Sequence, residues 1–147
     1  MKKEKEQYKK LIRSIIVILL VACETIIFMH YWINIYNKYT VFPFFQKGHW
    51  MMAAMYIIYQ IIFLYIFGGL KVGYLKKANI IFSQVLAMLG SNVIIYLQIV
   101  LLSVRFVNIV PMMKATLVDI CVVVIVAIIS ERHIQKIIST SRTYCFI

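Results

Sequence analysis

The chain has 147 residues, of which 63% are hydrophobic, and it carries a formal net charge of +11. A soluble fold of this size has too little interior to bury so much apolar surface, so the composition indicates a membrane protein. The basic residues flank apolar stretches instead of lining one polar face. This arrangement favours contact with anionic lipid headgroups over nucleic-acid binding, and no nucleic-acid partner is predicted.

A basic N-terminal segment, residues 1–13, is followed by four long apolar stretches. They cover residues 15–35, 51–67, 80–102 and 112–129. A helix rises about 1.5 Å per residue, so each stretch is close to the about 20 residues that cross a hydrocarbon core. The second is the shortest. The pattern predicts an all-α protein whose membrane domain, residues 14–130, is a four-helix transmembrane bundle.

The distribution of charge predicts how the four spans are oriented. Of the 16 basic residues, 12 fall in the N-terminal segment, the loop after the second span and the C-terminal tail. Cytoplasmic loops of membrane proteins are enriched in Lys and Arg, so both termini are predicted to be cytoplasmic. The remaining four basic residues belong to the opposite side: Lys38, Lys47, Arg105 and Lys114.

Aromatic side chains cluster where the first two spans should leave the outer leaflet. They are Tyr31, Trp32, Tyr36, Tyr39 and Trp50. Amphipathic rings prefer the membrane interface, so this region is predicted to be interfacial. The apolar loop around Pro43 is predicted to lie there too.

Glu24 and Asp119 are the only carboxylates inside the predicted spans. Each lies about 10 residues, or about 15 Å, from the inner boundary. An unpartnered acid at mid-bilayer costs about 2.5 to 3.5 kcal/mol on insertion scales, so both are predicted to face the bundle interior. Two carboxylates in one dry interior repel, and at least one is predicted to stay protonated near neutral pH. Structural contacts are favoured over proton coupling as their role. Candidate hydrogen-bond donors are Gln84, Ser91, Asn92 and Gln98.

The third span carries a stripe of small and polar side chains. Gln84, Ser91 and Gln98 recur every seven residues, and Ala87 lies between the first two. Such residues share one helix face and let neighbouring helices approach closely and hydrogen-bond. The stripe predicts a helix-packing seam, with a substrate groove as the alternative.

No catalytic constellation or metal site is predicted from the sequence. Its three Cys and three His residues are scattered, and no Gly-rich phosphate loop or paired carboxylates stand in an aqueous segment. The loop after the second span could contact a phosphorylated lipid headgroup, although a role as topology determinant is favoured. Its lysines are Lys71, Lys76 and Lys77.

The tail, residues 131–147, is predicted to be cytoplasmic and amphipathic. Ile134, Ile137 and Ile138 alternate with polar residues, which predicts a short interfacial helix continuing the fourth span. The last four residues, Tyr-Cys-Phe-Ile, have the character of a first β-strand. The tail is therefore interpreted as the truncated start of a further domain.

One long stretch resembles a known bacterial family. It comprises GGLKVGYLKKANIIFSQVLA over residues 68–87, then Asn92, YLQI over residues 96–99 and PMM over residues 111–113. This pattern resembles the N-terminal membrane region of polyprenyl glycosylphosphotransferases. Those enzymes initiate exopolysaccharide and capsule assembly by moving a sugar 1-phosphate from a nucleotide sugar onto undecaprenyl phosphate. In the family, four spans precede a Rossmann-like domain and a membrane-associated, magnesium-dependent catalytic domain.

The resemblance implies a multi-pass protein of the bacterial cytoplasmic membrane. The family's acidic dyad and diphosphate-binding residues have no counterpart here, so no catalytic residue and no cofactor are assigned to this chain. The implied role is a non-catalytic anchoring and oligomerisation module, with the bilayer, undecaprenyl-linked lipid and a second copy or another membrane protein as partners. Two alternatives remain open: a small proton-coupled multidrug transporter that uses Glu24, and a scaffold that regulates a partner enzyme.

Overall fold

The computed structural model describes residues 2–68 and 77–145. This part of the chain is all-α, as predicted, and contains four long helices. They are α1 (Lys2–Asn34), α2 (Gln46–Ile66), α3 (Lys77–Ser103) and α4 (Val110–Cys145), with a short 3-10 helix at Tyr36–Tyr39 between α1 and α2. All four are long and apolar enough to cross a membrane. These four helices indicate a multi-pass membrane protein.

The helices extend beyond the predicted spans. The candidate spans in the structure are Glu6–Asn34, Gln46–Ile66, Ile81–Ser103 and Val110–His133. The basic segment belongs to α1 because it is rich in Lys, Glu and Gln, which favour helix, and contains neither Gly nor Pro. The second span reaches 21 residues because its polar start is also helical.

The predicted β-strand at the C-terminus is wrong for the part that is described. Tyr144 and Cys145 are the last two residues of α4, while Phe146 and Ile147 lie outside the described residues. The 36-residue helix has its single proline, Pro111, in the first turn, where proline is tolerated, and it contains no glycine. No local signal therefore ends the helix after the membrane span.

Specific residues determine where the helices begin and end. Gly68, with φ 75°, follows the C-terminus of α2, where a left-handed residue is normally glycine. The side-chain oxygen of Asn108 accepts a hydrogen bond from Val110 N at 3.0 Å and so caps α4. Val104, immediately after α3, has φ 53°, a left-handed conformation that is strained for a β-branched residue.

The helices form a closed bundle. Each packs on its neighbours in sequence, and α1 also packs on α4, so that α1 and α3 occupy diagonal corners. Two apolar clusters fill the interior. The larger includes Phe28, Trp32 and Ile99, and the smaller joins Val17, Leu64 and Ala87. Large apolar side chains also cover the outer surface of the spans, as expected for helices in lipid.

The aromatic residues at the end of α1 differ in their exposure. Trp32 and Tyr36 are fully buried within the protein, whereas Tyr39 and Trp50 are exposed. Trp32 Nε1 donates a hydrogen bond to His49 Nδ1 at 3.1 Å, and Tyr36 OH donates to the backbone oxygen of Asn108 at 3.1 Å. Burial raises the pKa of Tyr36 to about 12. These rings are buried because each polar atom finds a protein partner.

Candidate functional site: a buried polar network

Polar side chains form a buried group in the interior of the bundle, in contact with the apolar clusters. Both intramembrane carboxylates belong to it, and Glu24 and Asp119 are 0% and 1% exposed. We define the polar network as seven residues contributed by all four helices: Glu24, Tyr56, Gln60, Gln84, Asn92, Thr116 and Asp119.

At one end of the network, two amides hold the carboxyl group of Glu24. Gln60 Nε2, on α2, donates to Glu24 Oε2 at 2.7 Å. Gln84 Nε2, on α3, lies 3.4 Å from Glu24 Oε1. The contact with Gln84 links the diagonal helices α1 and α3, which places Glu24 at the centre of the bundle.

A tyrosine connects this end to the rest of the network. Gln60 Nε2 also donates to Tyr56 OH at 3.2 Å, and Tyr56 OH donates to Asn92 Oδ1 at 2.9 Å. The ring of Phe28 stacks on that of Tyr56, with centroids 4.5 Å apart and planes 8° from parallel. The hydroxyl is thus held in place by apolar packing as well as by its hydrogen bonds.

At the other end, Asn92 bridges to α4. Its Nδ2 donates to Thr116 Oγ1 at 3.0 Å and lies 3.4 Å from Asp119 Oδ2. Thr116 Oγ1 itself donates to the backbone oxygen of Met112. A continuous path of hydrogen bonds therefore connects the two carboxyl groups through Gln60, Tyr56 and Asn92.

The network contains more acceptors than donors. Three of its buried oxygens have no hydrogen-bond partner: Gln60 Oε1, Gln84 Oε1 and Asp119 Oδ1. Both hydrogens of Gln60 Nε2 and both of Asn92 Nδ2 are used. Gln84 Nε2 makes one described bond, so the network has three acceptors without a partner against one unused amide hydrogen. Buried polar groups are normally paired, so this excess of acceptors indicates a site that takes up hydrogen-bond donors.

The stripe on α3 is divided between different partners. Gln84, Ala87 and Ser91 are buried, and Gln98 is half-buried. Ser91 Oγ donates within its own helix, to Ala87 O at 2.8 Å, so it makes no bond to another helix. Gln98 Oε1 instead accepts from Tyr59 OH on α2 at 2.9 Å. The structure thus places the stripe against other helices, although only its two glutamines bond to them.

Several network residues were not identified from the sequence. Tyr56 and Gln60 on α2 and Thr116 on α4 have no seven-residue repeat that draws attention to them. The available signal was that Gln60 is an amide in the middle of an apolar span, four residues after Tyr56 and hence on the same helix face. The close packing of Gly90 against the ring of Phe63 was missed as well.

The loop lysines that the sequence offers as topology determinants, with headgroup contact as the alternative, lie mostly outside the described residues. Lys71 and Lys76 are not among the described residues, and Lys77 is the first residue of α3, with a side chain that is not described. Within residues 2–68 and 77–145, no group of three or more His, Cys, Asp or Glu side chains could hold a metal ion.

A cavity approaches the network from one end of the bundle. Its volume is about 70 Å³, and it lies between the start of α1 and the end of the α4 span. Arg13, Ser130 and Glu131 line it together with apolar residues, among them Ala127, and Gln84 contributes to its wall. Because Gln84 contacts Glu24, one amide separates this cavity from the carboxyl group.

The sequence matches no protein-family model and no curated protein, and the chain matches no solved structure.

Proposed function

We propose that this chain is a multi-pass protein of the bacterial cytoplasmic membrane, and that it serves as the non-catalytic membrane module of a sugar-1-phosphate:undecaprenyl-phosphate transferase system for exopolysaccharide. The observation that carries the proposal is the four-helix bundle itself. It agrees with the four-span region that the sequence resembles. The resembling stretch supplies much of α3, including Gln84, Ala87 and Asn92, which are buried at helix contacts.

The burial of the two carboxyl groups supports a non-catalytic role. Sugar-phosphate transfer needs groups that bind a charged nucleotide sugar and stabilise its diphosphate. Glu24 and Asp119 are almost completely buried among amides and apolar side chains in mid-span. A water-soluble nucleotide sugar does not reach such positions, so we assign them to the interior architecture of the module.

In this proposal both termini face the cytoplasm. An even number of spans places the two ends on one side, and 12 of the 16 basic residues lie on that side. Reporter fusions after Lys47, Lys77, Val107 and Ile147 should report the outside, inside, outside and inside of the membrane. A periplasmic signal from the fusion at Ile147 would contradict the orientation.

Two experiments test the role as a non-catalytic module: one asks whether the chain itself transfers sugar phosphate, and the other asks whether cells need the chain for that transfer. The purified chain, supplied with Mg²⁺, nucleotide sugars and undecaprenyl phosphate, should form no lipid-linked sugar. In cells, deleting the gene should lower lipid-linked sugar phosphate and surface polysaccharide, and expression of the chain should restore both. The Glu24→Gln variant keeps the size and shape of the side chain and should restore lipid-linked sugar phosphate and surface polysaccharide equally well. Transfer by the purified chain, or normal polysaccharide in the deletion strain, would refute the proposal.

A second candidate function is favoured by one specific observation. Glu24 is held by two amides, one of which lines a cavity near the bundle end, and this arrangement also suits a small proton-coupled multidrug transporter. In that case, Glu24→Gln should abolish drug resistance in cells while thermal stability in detergent stays normal. The module proposal instead expects a stable variant without any efflux phenotype.

A further inference from the structure

We propose that the polar network is a proton-binding site centred on Glu24, and that it exchanges its proton with water only at the bundle end where α1 begins and the α4 span ends. This inference is independent of the proposed role in polysaccharide synthesis. It depends on the hydrogen-bond inventory of the network and on the position of the cavity.

The first argument is the shortage of donors. Gln60 Oε1, Gln84 Oε1 and Asp119 Oδ1 are buried acceptors without a partner. A proton on a carboxyl group converts an acceptor oxygen into a donor, so protonation directly corrects this imbalance. The described hydrogen bonds to Glu24 and Asp119 come from the amides of Gln60, Gln84 and Asn92 alone.

The position of the proton follows from the two amides around Glu24. Gln60 uses both hydrogens of Nε2 and makes the short 2.7 Å bond to Glu24 Oε2, so we assign it as the fixed partner. Gln84 makes a single contact, 3.4 Å from Glu24 Oε1. A half-turn of the Gln84 amide would present Oε1 to this oxygen. A proton on Glu24 Oε1 then donates to Gln84 Oε1 and gives that acceptor a partner, while Gln84 Nε2 gives up its contact with Glu24 and takes the position that Oε1 occupied.

The surroundings favour a proton over a metal cation. The titratable groups that face Glu24 across the network are Tyr56 on α2 and Asp119 on α4, and α3 contributes the neutral amides of Gln84 and Asn92. The direct contact between Gln60 Nε2 and Glu24 Oε2 leaves no room for an ion between these groups. A proton needs no such space, and it relieves the repulsion between two carboxylates in a dry interior.

The cavity supplies the route from one side. A buried water needs about 10 to 15 Å³ in this measure, so a cavity of about 70 Å³ has room for about five waters. Arg13, Ser130 and Glu131 provide polar partners along it, and Gln84 lies in its wall. A chain of waters in the cavity carries a proton as far as the Gln84 amide, and movement of that amide lets the last water reach Glu24 Oε1. Towards the other end of the bundle, the buried cluster around Phe28, Trp32 and Ile99 fills the interior. A groove of about 350 Å³ between α3 and α4 reaches Asn92 and Thr116, but apart from these two residues and Tyr96 its lining is apolar, so it offers water few partners.

Infrared spectroscopy of the protein in lipid nanodiscs tests the site. The spectrum at neutral pH should contain the carbonyl stretching band of a neutral carboxylic acid, and Glu24→Gln should remove it. Asp119→Asn serves as the second variant and should leave the Glu24 band in place. Replacing choline chloride with sodium chloride should not change the band.

Sidedness is tested by blocking the cavity. Ala127→Phe fills it and should slow the shift of the Glu24 band after transfer to deuterium oxide by at least tenfold. Ala54→Phe, at an exposed position on α2, is the matched control and should exchange at the wild-type rate. The proposal is overturned if no neutral-acid band exists, if Glu24→Gln leaves the band intact, if sodium ions remove it, or if Ala127→Phe exchanges as fast as Ala54→Phe.

Discussion

The hydroxyl of Tyr56 is the midpoint of the hydrogen-bond path between the two carboxyl groups, so its removal tests whether the network stabilises the bundle. Tyr56→Phe keeps the ring that stacks on Phe28 and deletes only the oxygen. Two hydrogen bonds disappear, the one donated to Asn92 Oδ1 at 2.9 Å and the one accepted from Gln60 Nε2 at 3.2 Å. Both partners, Gln60 and Asn92, are buried away from bulk solvent.

The expected magnitude depends on the reference state. In the interior of a soluble protein, each buried group that loses its hydrogen-bond partner would lower the free energy of unfolding by about 1 to 3 kcal/mol. Within a membrane, interhelical hydrogen bonds average about 0.6 kcal/mol and reach about 1.7, because separated helices also find polar partners. For two bonds we therefore expect Tyr56→Phe to lower the free energy of unfolding by about 1 to 2 kcal/mol. A loss of 1.4 kcal/mol is about a tenfold change in the unfolding equilibrium.

Titration with sodium dodecyl sulfate in mixed micelles measures this free energy. The fluorescence of Trp32 is a suitable signal, because this side chain is fully buried while Trp50, the other tryptophan, is 79% exposed. Tyr65→Phe, at an exposed position of α2, is the matched control and should stay within about 0.3 kcal/mol of the wild type. An equal loss in both variants, or no loss in Tyr56→Phe, would refute the assignment of a stabilising role to the network.

Three further substitutions test local features with the same titration. Gly90→Ala places a Cβ 2.9 Å from the Phe63 ring, so overpacking should lower the free energy of unfolding by about 1 to 3 kcal/mol unless the ring turns away. A change below about 0.5 kcal/mol would show that α2 and α3 adjust easily at this point. Trp32→Phe removes the fluorescent probe, so its titration is followed by circular dichroism instead. It should cost about 1 kcal/mol for the lost hydrogen bond to His49 in addition to the lost packing of a fully buried ring, and the hydrogen-bond part should vanish when His49 is already replaced by Ala. Val104→Gly should stabilise the protein by about 1 kcal/mol, since glycine adopts φ 53° without strain; a destabilised variant would contradict this account of the loop.

The polar network also bears on how the bundle chooses its helix register. Apolar side chains drive helices together in a membrane only weakly, since lipid is equally apolar. A layer in which Glu24, Gln60, Gln84 and Asn92 must meet is satisfied in one register alone. Sliding α2 by one turn would move Gln60 away from Glu24 and leave both among apolar groups. We infer that the network sets the alignment of the helices, whatever it contributes to stability.

The sequence by itself determined the class of the protein. Four apolar stretches of sufficient length predict four helices because, in lipid, each backbone polar group must be satisfied within its own segment. It also indicated that Glu24 and Asp119 face inward, because exposing a carboxyl group to the lipid at mid-span has a large free-energy cost. The structure places both acids in the interior. Helix ends were predicted less well, because the basic N-terminal segment and the C-terminal tail favour helix even outside the membrane.

Only the tertiary structure decided which polar groups meet. Sequence periodicity identifies a face of one helix, but it does not specify the rotation and height of the helix packed against it. The partners of Glu24 are 36 and 60 residues away in the chain, and Tyr56, which joins the two ends of the network, carries no sequence signal of that role. The same limit explains Trp32 and Tyr36: their composition suits an interface, and they are buried because His49 and Asn108 happen to supply acceptors. Burial of a polar side chain depends on a partner from another element, and that partner is determined by packing.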